Sequence, residues 1–395
     1  MKKLLIIYVC ALSLLLWSFA RKENISNSLN VFYTGEASGE LEPCGCTGMK
    51  TGGVAQRSGW INYLNKDKKW LLIDGGFASK KNDRQQQIKF ETYHKMIKAM
   101  NYHFSSITQK EVDSGREEAK PYIGRFRDKL FVVLRYETDK DLQRAKSFLK
   151  DNNVDLVFVM AKGKTSAQVH TNFPEGKYWR IFLVNDADNP ITPLTPKEKT
   201  IVLSAGDRGR YAGVLKINWE NGKFKWQREH IAISSEYPPQ KEVVKILEKY
   251  KKQVKQSHLI DFVVKRSSPI GYVGTDMCMS CHTKEYREWI SKQDHAHAFA
   301  TLQKQNYHHD PECVKCHVVG YEFAEGYRNF EESDYLINVG CENCHGPGAE
   351  HAFNPKPGYG RTNGEDTCIS CHDKDHSPHF AYGEYMKKIR HWREK

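Results

Sequence analysis

Four times in its last third the chain places two cysteines three residues apart with a histidine directly after the second. These are Cys278-Met279-Ser280-Cys281-His282, Cys313-Val314-Lys315-Cys316-His317, Cys341-Glu342-Asn343-Cys344-His345 and Cys368-Ile369-Ser370-Cys371-His372. Two thiols at that spacing reach the two vinyl groups along one side of a porphyrin and form thioethers. The adjacent imidazole then falls beneath the iron as proximal ligand. One such motif alone also suits a zinc or thiol-redox site, but four within 95 residues point to covalent haem. The expectation is four haem c groups with His282, His317, His345 and His372 as proximal ligands. Eight further histidines follow Gly271 and are the candidates for the opposite face: His295, His297, His308, His309, His351, His376, His379 and His391.

These motifs sit in a segment of distinct composition. Twelve of the 17 histidines lie beyond Gly271, and residues 271–395 carry 14 Lys/Arg against 19 Asp/Glu. The chain as a whole is +12, so the remainder carries +17. A chain of 395 residues is long for one core, and two domains are expected. With 27% charged and 12% aromatic residues it reads as globular rather than disordered or membrane-embedded. The basic part carries no recognisable nucleic-acid motif, so nucleic acid is not expected as a partner. Docking onto acidic redox partner proteins, an anionic surface or the chain's own haem domain fits the charge better, beside the plainer reading of a well-solvated lysine-rich surface.

At the N-terminus Lys2 and Lys3 precede an apolar run from Leu4 to Trp17, and Ser18-Phe19-Ala20 is a small-x-small site. Residues 1–20 therefore read as a signal peptide, too short for a firm spanning helix, and place the body in the periplasm or otherwise outside the cytoplasm. Left uncleaved, the same run would tether the protein to a membrane. Ten of the 11 cysteines remain after its removal, eight in the motifs and two in Cys44-Gly45-Cys46. That last pair is a redox-labile disulfide, a metal thiolate pair or an inert loop closure.

Between residues 28 and 235 strand-like and helix-like segments alternate, which predicts an α/β domain. Strands are expected over Leu29–Tyr33, Trp70–Ile73, Leu130–Leu134, Val154–Met160, Trp179–Val184 and Thr200–Ser204. Helices are expected over Arg84–Met100 and Lys140–Asp151. Tyr211–Trp219 and Lys223–His230 flank Asn221-Gly222, a strong hairpin signal. A helical linker over 236–270 follows, with a lysine-rich amphipathic stretch at Lys241–Gln256 and a short break at Ser267-Ser268-Pro269. A domain of about 125 residues at 271–395 would have a small apolar core of its own, so porphyrins are expected to supply much of its buried surface.

Residues 271–391 resemble the tetrahaem cytochromes typified by the electron acceptor for hydroxylamine oxidation in nitrifying bacteria. The matching pieces are Gly274-Thr275-Asp276-Met277-Cys278, Trp289 with His295-Ala296-His297-Ala298, and Asp310-Pro311-Glu312-Cys313. The most specific is Val339-Gly340-Cys341-Glu342-Asn343-Cys344-His345-Gly346-Pro347-Gly348 followed by His351. The resemblance implies distal iron ligands at His295, His351 and His391. It also implies a haem at the second motif without a distal side chain, for which His308, His309, His376 and His379 are the nearby fourth candidates. Ligation by two histidines favours electron transfer, whereas an open iron would permit chemistry on a small nitrogen compound.

The N-terminal part resembles exported 5′-nucleotidases of the metallophosphoesterase superfamily. It does so through Tyr33–Pro43, Gly52-Gly53-Val54-Ala55-Gln56-Arg57, Leu71-Leu72-Ile73-Asp74-Gly75-Gly76 and Ala205–Gly213. The implied fold is an α/β sandwich followed by a mostly helical and irregular multihaem domain. The metal ligands are largely gone: Asp-x-His reads Glu36-Ala37-Ser38, the bridging Asp falls on Phe77, and Asn-His-Glu reads Gln109-Lys110-Glu111. The later histidine near Met160–Gly163 is absent, and Gly-His-x-His reads Asn185-Asp186-Ala187-Asp188. Two-metal hydrolysis needs those ligands, so phosphoesterase activity is not expected. Glu36, Asp74, Asp186 and Asp188 remain as oxygen ligands for a hard cation or as carboxylates capping turns. The leading expectation is an exported electron carrier whose N-terminal domain is a docking or scaffold module. The alternative is a multihaem oxidoreductase working at a five-coordinate haem.

Overall fold

The computed structural model describes residues 28–43, 51–66, 70–79, 81, 83–106, 111, 115, 120–163, 173–185, 199–206, 208–360, 364–373, 376–377 and 379–391. The signal-like run and Cys44/Cys46 lie outside the described residues, as do Gln109, Lys110, Asp186 and Asp188. The chain divides into two compact units, the first ending at Ile246 and the second beginning at Leu247.

Two five-stranded sheets build the first unit. One runs β10-β9-β1-β2-β3, from β1 (Leu29–Thr34), β2 (Trp70–Asp74), β3 (Phe104–Ser105), β9 (Tyr211–Glu220) and β10 (Lys223–Ala232). The other runs β4-β5-β6-β7-β8, from β4 (Tyr122–Phe126), β5 (Lys129–Tyr136), β6 (Leu156–Ala161), β7 (Trp179–Val184) and β8 (Thr200–Ser204). Strands β5 to β8 are parallel, as are β1, β2 and β3. Their residues are apolar without alternation, and β1, β6 and β8 are buried throughout, as expected for strands covered on both faces.

Inner side chains such as Val31, Tyr33, Ile73, Phe158, Ile181 and Leu215 form one core between the sheets. Leu142 and Ala145 of α3 (Asp139–Asp151) cover the outer face of the second sheet. Thr138 and Asp141 close a capping box at the start of that helix, satisfying two otherwise orphaned N–H groups. The β9–β10 turn has φ of 51° at Asn221 and 72° at Gly222, both left-handed as a two-residue type I′ turn requires.

The strand edges fall close to expectation. Expected Val154–Met160 starts instead at Leu156, because Asp155 turns its carboxylate to accept the Leu130 N–H at 2.8 Å. Helix α2 (Arg84–Ala99) begins at Asp83, whose side chain accepts the Gln86 N–H. The structure adds α1 (Val54–Leu64), β3 and β4. Strand β4 alternates half-buried with exposed residues, and its Gly and Arg dilute the apolar signal.

The second unit begins within α4 (Lys241–Gln256) and is otherwise short helices and loops. In chain order these are α5 (Thr275–Cys278), α6 (Thr283–Lys292), α7 (Ala298–Gln305), α8 (Pro311–Val314) and α9 (Phe330–Ser333). After them come α10 (Cys341–His345), α11 (Ala349–Phe353), α12 (Glu365–Ile369) and α13 (Tyr382–Ile389). Its apolar core is small, formed by Ile260, Phe299, Leu302, Val314, Val318, Val319, Tyr321, Tyr327 and Leu336. Ser267 and Ser268 are tied into this unit, both hydrogen-bonded to the Glu325 carboxylate. Among the described residues no helix is long and apolar enough to cross a membrane.

Candidate functional site

Each Cys-x-x-Cys-His motif begins on a single helical turn. In the first and fourth, the His282 and His372 N–H groups donate to the Cys278 and Cys368 carbonyls, each at 2.9 Å. In the second, His317 N–H donates to Val314 O at 2.8 Å. One turn carries residues i and i+3 to the same side, so both thiols face one way with the imidazole beside them. Gly274 opens α5 at φ 81°, and a Cβ there would meet the Tyr335 carbonyl oxygen at 2.5 Å. Asp310 caps α8 instead, accepting from Glu312 N–H at 2.9 Å.

The fold brings histidines distant in sequence face to face. Ring centres are 6.1 Å apart for His282 and His351, 6.0 Å for His345 and His391, and 5.8 Å for His372 and His295. Two imidazoles on opposite sides of one metal, each bonded at about 2 Å, have ring centres roughly 6 Å apart. The donor set and spacing therefore fit a haem iron in three places.

The rings are also anchored so that Nε2 remains for a metal. Nδ1 of His317 donates to Ala298 O at 2.7 Å, and that of His345 to Gly360 O at 2.5 Å. His372 Nδ1 lies 3.2 Å from Ser377 Oγ, and His391 Nδ1 donates to Ile389 O at 3.2 Å. Such outer contacts set tautomer and ring direction at metal sites. Burial lowers the pKa of His295, His317 and His372, favouring the neutral imidazole that binds metal.

Aromatic packing sets the distal candidates. His351, on α11, stacks on Tyr359 at 4.4 Å and 6°. His295 stacks on Trp289 at 5.9 Å, and Trp289 Nε1–H donates to Val339 O at 3.1 Å. Five candidates remain, of which His297 donates from Nε2 to Ile290 O at 2.9 Å. His308 and His309 face each other at 4.1 Å, with His308 beside Phe299, and burial holds the His309 pKa down to about 4. His376 Nδ1 is held by both oxygens of Asp373 at 2.7 and 2.8 Å, and His379 is exposed.

Thiol contacts place the motifs side by side. Cys278 hydrogen-bonds to Cys341, and Cys316 to Cys371, which lowers the Cys341 and Cys371 thiols to about 7. Cys344, pushed up to about 11 chiefly by burial, also feels Cys368 and Cys371. The spatial order is thus first, third, fourth, second.

Two side chains that the sequence reading used only as motif letters hold this order. Buried Glu342 accepts from the N–H groups of Val273 at 3.0 Å, Gly274 at 2.8 Å and Gly348 at 2.7 Å. It thereby ties the third motif to the first and to the turn before His351. Asn343 Nδ2–H donates to Val318 O at 3.0 Å, just after the second motif. The signal in the sequence was an acid and an amide at the two positions between the cysteines of the third motif.

In the first unit the carboxylates left from the hydrolase-like pattern are neutralised from within. Asp74 is fully buried and paired with the equally buried Arg57 guanidinium at 2.8 Å. It also accepts from Tyr93 and Ser105 hydroxyls at 2.6 Å each, from Thr34 Oγ1 at 3.1 Å and from Gly76 N–H at 3.1 Å. Glu36 is paired with the buried Lys162 ammonium at 3.0 Å, and Phe77 is packed among Phe90 and Tyr93. Arg57 and Lys162 thus serve these two carboxylates as resident cations. Among the described residues no group of three or more His, Cys, Asp or Glu side chains could hold a metal ion.

Comparison with known proteins bears on each unit separately. The two-sheet unit is similar to the Thermus thermophilus sulfate thiohydrolase SoxB (10% identity, 65% of this chain and 68% of that one, TM-score 0.45). It is similar at the same score to a 5′-nucleotidase precursor from the same species (13% identity, 63% of each chain) and to NAD nucleotidase from Haemophilus influenzae (11%, 66% and 71%). In the C-terminal part, cytochrome c-554 of Nitrosomonas europaea is 34% identical over 94 residues, 20% of this chain and 39% of that protein. The chain therefore spans well under half of that relative. Residues 277–346, which hold the first three motifs, match the family described as cytochrome c554 and c-prime, and it is this family that the C-terminal part of the chain resembles.

Proposed function

We propose that the protein is an exported electron carrier whose second unit binds four haem c groups, while its first unit is a non-catalytic docking or scaffold module. The thioether positions are Cys278/Cys281, Cys313/Cys316, Cys341/Cys344 and Cys368/Cys371, with His282, His317, His345 and His372 proximal. His351, His391 and His295 are assigned as distal partners of His282, His345 and His372. The observation that carries this reading is the set of three imidazole pairs with ring centres 5.8–6.1 Å apart, a spacing that packing alone does not require. The fourth motif lies outside the family match, yet it has the same one-turn helix and faces His295.

Haem bound in these positions supplies one-electron redox chemistry. The chain's own residues orient the imidazoles, keep the four sites in register and cover them with aromatic side chains. Export is supported by the basic-then-apolar start and by thioether chemistry at eight cysteines. The neutralised Asp74 and Glu36 support a first unit without hydrolytic chemistry.

Haem content of the mature protein tests this directly. Four haems per chain are expected by pyridine haemochromogen assay and intact mass, each tryptic Cys-x-x-Cys-His peptide carrying one. Fewer than four, or peptides with free thiols, would refute the assignment. Cell fractionation with an intact and a deleted 1–20 segment tests export.

A further inference from the structure

We infer that the exposed lysine face of α4 beside the second motif is the docking surface for an acidic one-electron redox protein. From Leu247 onward α4 belongs to the second unit. There Leu247, Tyr250 and Val254 point inward and are nearly fully buried, while Lys249, Lys252 and Lys255 are exposed. At a helical repeat of 3.6 residues these three lysines share one face, opposite the buried one.

That face is fastened to the second motif. Tyr250 Oη–H donates to Asp310 Oδ2 at 3.0 Å, and the other Asp310 oxygen caps the helical turn that carries Cys313. Lys251 Nζ sits 4.6 Å over the Tyr307 ring, and the Lys255 charge acts on His308 and His309. The lysine face therefore stands about one helix thickness, roughly 10 Å, from the motif backbone.

Three features speak for a ligand rather than plain solvation. Glu248 is paired with Lys251 at 3.1 Å, and among the described residues Lys249, Lys252 and Lys255 make no ion pair. Like charges three residues apart on one helix face repel, so the arrangement is unfavourable without a counter-charge. Residues 271–395 are net negative, with 14 Lys/Arg against 19 Asp/Glu. A positive face beside that acidic segment is a field that orients a partner rather than a uniform attraction.

An anionic membrane fits less well. The apolar side chains of this part of α4 all point inward, the exposed Phe262 and Val264 lie beyond its C-terminal end rather than on the lysine face, and the acidic segment 271–395 would be repelled by an anionic surface. The occupant is accordingly a protein presenting a cluster of carboxylates near its own redox centre. This rests on the electron-carrier reading above.

The test uses the full-length, haem-loaded protein and a Lys249→Glu/Lys252→Glu/Lys255→Glu variant, with reduced flavodoxin as the acidic probe and dithionite as a small-molecule control. Stopped-flow oxidation of flavodoxin by the native protein should slow as salt rises. In the variant it should be about ten- to a hundredfold slower at low salt, with the salt dependence flattened. Surface plasmon resonance should show a parallel loss of flavodoxin affinity, and a triple Lys→Arg variant should behave as native. The visible spectrum and dithionite reduction should be unchanged.

Equal rates and affinities for native and variant protein would overturn the inference, as would salt-insensitive binding by the native protein. Unchanged flavodoxin binding with lost binding to phosphatidylglycerol vesicles would overturn it in favour of a membrane contact. Absence of haem would defeat the electron-carrier reading instead, and the resonance measurement would still decide whether the lysine face binds an acidic protein.

Discussion

Replacing Arg57 with Met leaves the Asp74 carboxylate at the centre of the first unit without its cation. Both side chains have zero solvent exposure and meet at 2.8 Å. Breaking a buried pair by removing one partner costs about 3–5 kcal/mol, because the remaining charge is uncompensated. Asp74 keeps four donors, from Tyr93, Ser105, Thr34 and the Gly76 N–H, which places Arg57→Met near 3 kcal/mol. Asp74→Asn is the harsher change. It strands a buried guanidinium and loses the oxygen that accepts from Ser105 and Gly76, so about 4–5 kcal/mol is expected. In a unit of this size 1 kcal/mol moves the melting temperature by about 2–4 °C, so shifts of roughly 6–20 °C follow. The double variant Arg57→Met/Asp74→Asn removes both charges and should be at least about 2 kcal/mol more stable than the sum of the single losses. Far-UV circular dichroism melts, with calorimetry to separate the two units, provide the measurement. Single-variant shifts below about 1 °C, or strictly additive losses, would refute the view that Arg57 is the cation this carboxylate requires.

Other consequences are open to simple checks. On the proposed ligand set, substituting His351 with Ala should open one haem beyond that of the second motif, seen as carbon monoxide binding that rises by about a quarter of the haem, and an unchanged spectrum would remove His351 from the distal set. Glu342→Gln replaces one of the two accepting oxygens with an NH2 that must face either the Gly274 N–H or those of Val273 and Gly348, donor against donor, costing about 1–3 kcal/mol. Its guanidinium midpoint should fall, and an unaltered midpoint would show that the clamp between the first and third motifs is dispensable. Asp141 is buried, which opposes ionisation, yet hydrogen bonds from Arg135 and from the Thr138 and Glu137 N–H groups hold its pKa below the ordinary value. Its stabilising effect is therefore full above the unfolded value of about 3.9 and fades as pH falls through the lower folded one. Urea midpoints between pH 5 and 2 should fall less steeply in Asp141→Asn, and parallel curves would contradict this.

The readability of this molecule from its residues differs between the units for a physical reason. Parallel strands covered on both faces write continuous apolar runs, so β1, β2, β5, β7 and β8 were legible to within a few residues, and Asn221-Gly222 announced the hairpin. The two-residue β3, and β4 with its mixed polarity, left no comparable trace, because edge strands draw their definition from a neighbour. Helix α1 was masked by its glycine and polar residues, although its Arg57 proved central to the core.

In the second unit the Cys-x-x-Cys-His spacing is local covalent chemistry, set within one helical turn and complete in five residues. The family pattern named His295, His351 and His391, yet no local rule says which iron each would face. The tertiary structure paired them with His372, His282 and His345 and ordered the motifs first, third, fourth and second. It also showed that the Asp74 and Glu36 carboxylates are occupied by Arg57 and Lys162. Attachment needs only neighbours along the chain, whereas opposing ligands and buried counter-charges meet across many tens of residues, where the packing of intervening elements alone decides the distance.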